Sequence, residues 1–136
     1  MITPNKSEAA GTVPEEYNPY GSPILFNSVE WSYKNQDSSE KIYNFVVSFY
    51  EDSSLTNLVY AVNSSTTSSG FSSDGDILPT GGISFYSGQT REMSFTPVGD
   101  IPLKCNTYYH IRIEAVSEDV TSLVSEDNMF IESCGT

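Results

Sequence analysis

The chain is poor in the residues that usually do chemistry. It has one histidine, two cysteines and one tryptophan among 136 residues. A lone histidine cannot build a histidine-rich metal centre, and two cysteines are too few for a disulfide scaffold or a structural zinc site. Basic residues are scarce as well: six against eighteen acidic ones, for a net charge of -12. Such a surface repels phosphate backbones and anionic headgroups, which argues against nucleic acid and membrane partners. No apolar run reaches the length of a membrane-spanning helix. The opening residues MITPNKSEAAGTVPEEY lack the apolar core of a signal peptide. The chain is therefore expected to start natively in the cytoplasm or to have lost a leader. Sustained helical periodicity is missing, and so is any internal repeat. A glycine-rich phosphate cradle needs a following helix, and none is predicted.

What the sequence does have is alternation. In VEWSY, Val29, Trp31 and Tyr33 share one face while Glu30 and Ser32 share the other. IYNFVVSFYED repeats the period with Phe45, Val47 and Phe49, and its β-branched and aromatic content suits a sheet. LVYAV (58–62), GGISFYSG (81–88) and REMSFTP (91–97) read as further short strands. In LKCNTYYHIRIEA, Tyr109, Ile111, Ile113 and Ala115 fall on one face, and His110, Arg112 and Glu114 on the other. Ser117 to Asp127 reads as a polar connection, and NMFIES returns as a last strand with Met129 and Ile131 inward. The prediction is an all-β antiparallel sandwich of about seven or eight strands.

Two segments stand outside this pattern. Residues 1–22 form a proline-broken, acidic arm with Tyr17 and Tyr20 as its large aromatic anchors. It is either a frayed leader or a strap that lies on a neighbouring subunit. The sandwich proper is expected over residues 23–136. Within it, NSSTTSSGFSSDGD reads as a long exposed loop with nothing to bury, part of a Ser/Gly-rich insertion near 63–82.

The spacing Leu103-x-Cys105-x-Thr107-x-Tyr109-x-Ile111-x-Ile113-x-Ala115 resembles the fibronectin type III signature across its E–F corner and strand F. In that family the pattern runs Leu-x-Pro-Gly-Thr-x-Tyr-x-Val-x-Val-x-Ala. The resemblance implies that Tyr109 is the corner tyrosine, whose hydroxyl bonds back along the chain. It implies that SVEWSY is strand B with Trp31 as the core tryptophan, that NFVVSFYE is strand C, and that MSFTPVGDIPL leads into the corner. Cys105-Asn106 stands where the family has Pro-Gly. Trp31 and Tyr109 are 78 positions apart, a surplus that predicts an insertion between strands C and E.

Candidate chemistry is thin. If the last two strands form a hairpin centred near position 120, Cys105 and Cys134 face each other, and a bridge worth about 3 kcal/mol is allowed; otherwise both are free thiols. His110 reads as a solvated surface residue. Asp74-Gly75-Asp76 has a faint calcium-loop flavour but reads as a turn. Asn5-Lys-Ser and Asn63-Ser-Ser match the glycosylation acceptor, which matters only on a eukaryotic secretory route. Paired carboxylates such as Glu15-Glu16, Glu51-Asp52 and Glu118-Asp119 read as solvated charge. No catalytic residue, metal ligand or cofactor is assigned.

Domains resembling fibronectin type III occur in phage tails, fibres and capsid decorations. The first expectation is therefore a non-enzymatic virion component that docks on a neighbouring virion protein or on itself. An adhesion or spacer module of a secreted bacterial protein is the second, with an extracellular or cell-surface location. A carbohydrate-binding module for host-surface glycans is the third, which would need Tyr43, Tyr50, Tyr60 and Tyr86 in a row.

Overall fold

A computed structural model describes residues 3–5, 11–12, 25–26, 28–52, 54–67, 70–96, 99–100, 103, 107–118 and 120–131. Among these the chain is all-β, with two antiparallel sheets packed face to face in an immunoglobulin-like sandwich. The first sheet runs in the order β1 (Thr3–Asn5), β4 (Ser28–Lys34), β10 (Thr90–Phe95), β7 (Phe71–Ser73), β8 (Asp76–Ile77). The second runs β13 (Val120–Ile131), β12 (Thr107–Ser117), β5 (Lys41–Tyr50), β6 (Leu58–Asn63), and β9 (Ile83–Phe85) pairs with the start of β5. A small third sheet joins β2 (Gly11–Thr12), β3 (Leu25–Phe26) and β11 (Gly99–Asp100). Strands β1, β4, β10 and β7 thus hold the A-B-E-D places, and β13, β12 and β5 the G-F-C places, with β6 added beside C.

Alternation set the buried face of each strand. Phe45, Val47 and Phe49 of β5 and Ile111 and Ile113 of β12 are fully buried, and Trp31, Met93, Phe95 and Phe71 meet them from the first sheet. The aromatic rings interlock mostly edge to face or tilted: Trp31 lies 5.8 Å from Phe45 and 6.5 Å from Phe71, and Tyr33 5.6 Å from Phe85. Burying one such phenylalanine is worth roughly 2 kcal/mol, so these positions set the register of both sheets.

Asn35, fully buried just beyond β4, clasps the two sheets. Its Nδ2 donates to the carbonyl oxygens of Ser39 and Phe85, at 3.0 and 3.1 Å, and lies 3.2 Å from that of Tyr86. Its Oδ1 accepts from the Asp37 amide and the Tyr43 hydroxyl. The Tyr33 phenol beside it is held well above its usual pKa, first by burial and then by its hydrogen bond with Tyr43.

Two expectations need correction. The Ser/Gly tract is not all exposed loop: Phe71 and Ser73 are buried in β7, and Leu78 is buried just after β8. One phenylalanine per short strand is enough anchor when a two-residue Asp74–Gly75 turn, both residues at positive φ, closes the hairpin. The predicted polar connection 117–127 is largely strand, because β13 begins at Val120. An edge strand needs no apolar alternation on its outer side, so its polar sequence hid it. The β12–β13 ladder sets Thr107 opposite Ile131 and Ile113 opposite Ser125, with a bulge after Ile113.

Candidate functional site

Residues directly opposite in an antiparallel ladder share a face, so the pairing maps the outer surface of the second sheet row by row. One row reads Leu58, Tyr50, His110, Asn128 across β6, β5, β12 and β13. The next reads Ala61, Ser48, Arg112, Glu126, and the third Asn63, Val46, Glu114, Leu123. Beyond it lie Asn44, Val116 and Thr121. Tyr108 extends the β12 file past His110 and is 67% exposed; Leu58 is 55% exposed.

The middle of this face is a chain of polar and charged groups. His110 Nε2 lies 3.6 Å from Glu126 Oε1, and its Nδ1 is 3.1 Å from Asn128 Oδ1. Arg112 reaches Glu126 through Nη1 at 3.7 Å and Glu114 through Nε at 3.7 Å. The long Arg112 side chain is 29% exposed and lies beside Ser48, which is buried although it points away from the core. Such surface pairs add little stability each.

At the far end of the same face sits a hollow of about 350 Å³, lined by Ile42, Asn44, Val116 and Gly81 and rimmed by Glu40, Lys41 and Glu118. Lys41 and Glu118 approach to 3.9 Å across its mouth. A second groove, of about 540 Å³, lies between the sheets and is lined by Tyr33, Tyr43, Lys34, Asp37 and Val124 among others.

The strand edges are guarded. β13 carries the bulge after Ile113, and Asp127 stands opposite the buried Ile111, placing a carboxylate on the core-facing side of an edge strand. β6 meets a bulge between Phe49 and Tyr50. β1 and β8 are three and two residues long. Short edges, bulges and inward charges are the devices that stop strand-to-strand addition.

Tyr109, Trp31, Leu103, Ile111 and Ile113 are all buried, as parts of the core. Cys105, Cys134, Tyr17 and Tyr20 lie outside the described residues. The four tyrosines proposed for glycan stacking do not line up: Tyr43 is buried, Tyr60 packs on Phe49 with ring centroids 5.8 Å apart, Tyr50 faces out on the second sheet, and Tyr86 is 67% exposed beyond β9. Asp74 is a turn residue whose carboxylate accepts from the Glu92 amide and lies 3.5 Å from Arg91. Among the described residues no group of three His, Cys, Asp or Glu is placed to hold a metal ion. His110 was taken as solvated, yet it belongs to the polar chain. Its partner Glu126 sits in a stretch read as a connection, so the sequence carried the residues but not the register that joins them.

Comparison of the chain with protein-family models, with curated proteins and with solved structures finds no match.

Proposed function

We propose that this chain is a non-enzymatic structural or assembly protein that docks on a neighbouring protein through the outer face of its second sheet. The virus particle, as a capsid decoration, tail or fibre component, is its setting. The observation that carries the docking reading is the second sheet's face itself, where exposed Tyr108 and Leu58 flank a chain of neighbouring polar groups, His110, Arg112, Glu114 and Glu126. Aromatic side chains and arginine are enriched in protein interfaces, where they dominate binding energy. The guarded edges favour docking by face over strand addition. The virion setting rests on the fibronectin type III resemblance. A strongly acidic exterior would keep assembled particles apart.

The test is co-sedimentation of the labelled chain with purified phage particles from its genomic source. Binding that is lost in Tyr108→Ser and Arg112→Glu, with folding retained by circular dichroism, supports the reading. Binding that survives both changes contradicts it, and particles that never bind the chain remove the virion setting.

A further inference from the structure

The docking face is complementary to itself. One end bears the projecting Tyr108 and Leu58, and the other bears the hollow at Ile42, Asn44 and Val116. Tyr108 and Val116 lie on the same strand about 26 Å apart, at about 3.3 Å per residue. A two-fold axis lying in the plane of the face and crossing the strands near Ile113 exchanges the two ends. It sets the projection of each copy over the hollow of the other. The same operation brings Arg112 of one copy opposite Glu114 of the second, twice.

Resting on the docking reading above, we propose that the occupant of this face is a second copy of this chain, seated face to face across that axis. Two observations select a copy over an unrelated partner. The first is the pairing of bump and hollow on one surface, which an isologous contact requires. The second is charge placement: the same two-fold sets Arg112 of each copy opposite Glu114 of the other, so a guanidinium meets a carboxylate twice across the contact. Four strands about 4.8 Å apart over about 26 Å offer roughly 500 Å² of plane per copy, which places the contact in the weak, transient class.

The experiment is sedimentation equilibrium of the full chain over a wide concentration range, beside three variants. Reversible dimerisation is expected. Tyr108→Ser should weaken it about tenfold or more. Arg112→Glu should weaken it comparably, by setting like charges opposite one another. The double exchange Arg112→Glu with Glu114→Arg should restore it, since each copy then offers the reversed pair. Circular dichroism confirms that each variant is folded. A chain that stays monomeric at its solubility limit, or a dimer indifferent to all three variants, overturns the proposal. If the chain is monomeric but particle binding still fails in Tyr108→Ser, the face docks a different protein. Self-association then falls while the docking reading stands.

Discussion

The two sheets turn the same kind of inner face to the core and opposite kinds of outer face to water. On the first sheet the outward set is Glu30, Ser32 and Lys34 on β4, Glu92 and Ser94 on β10, and Ser72 on β7, with Ile77 of β8 as its exposed apolar side chain. Its contact is modest, a Ser72–Ser94 hydroxyl pair at 2.6 Å. On the second, His110, Arg112 and Glu114 are half-buried, Arg112 lies between Glu114 and Glu126, and large Tyr108, Leu58 and Leu123 stand exposed around them. Small hydroxyls hydrate easily and leave nothing for a partner to displace; tyrosine, leucine and arginine do the reverse. On the proposed docking reading, the first surface is the one left to solvent and the second the one for contact.

The comparison can be broken by striking each sheet where it is held. The largest effect is expected at Gly70, which enters β7 at φ +95° with a would-be Cβ only 2.4 Å from the Thr96 carbonyl oxygen. Gly70→Ala should destabilise the first sheet by about 3 kcal/mol or more, read as a drop in urea midpoint. Gly75→Ala, at φ +90° but in open space, should cost only about 1 kcal/mol. Next comes the clasp between the sheets. Asn35→Ala leaves the Tyr43 hydroxyl and several carbonyl oxygens without their partner, and thermal melts should report a loss of about 3 kcal/mol.

The outer faces themselves separate in a smaller measurement. Arg112→Ala should cost about 1 kcal/mol and weaken docking. The paired change Ser72→Ala with Ser94→Ala should stay within about 0.5 kcal/mol of the parent and leave docking alone. Smallest is the exposed loop after β5. Asp52 accepts from the hydroxyls of Ser54 and Thr56, which lower its pKa to about 2. A depressed carboxyl stabilises the folded state above its unfolded value near 4 and loses that contribution as pH falls toward 2. Asp52→Asn should flatten the melting-temperature profile in that window only.

Much of this was legible in the sequence where one strand face is apolar and the other polar. β4, β5, β10 and β12 follow their period-two pattern, and Tyr109 is buried as its alternation with Ile111 and Ile113 implied; β6 is a strand as read, with a bulge that breaks the period. What escaped was structure without that contrast. β13 is polar on both faces between Ser125 and Asn128 because it is an edge, and β7 shows one phenylalanine in a run of serines. The polar chain escaped for a different reason. His110, Arg112 and Glu126 belong to two strands, and their meeting depends on a register that a single bulge shifts by one. Periodicity fixes which face a residue takes, but not which residue stands beside it.

The claim that the two outer faces differ in role meets its most direct test in amide spectra of the labelled chain, recorded over a series of increasing concentration. The account predicts progressive shifts confined to the second face, at Tyr50, Tyr108, Arg112 and Val116, while Ser32, Ser72 and Ser94 stay fixed. Shifts centred on the first sheet or along the β13 edge would contradict it.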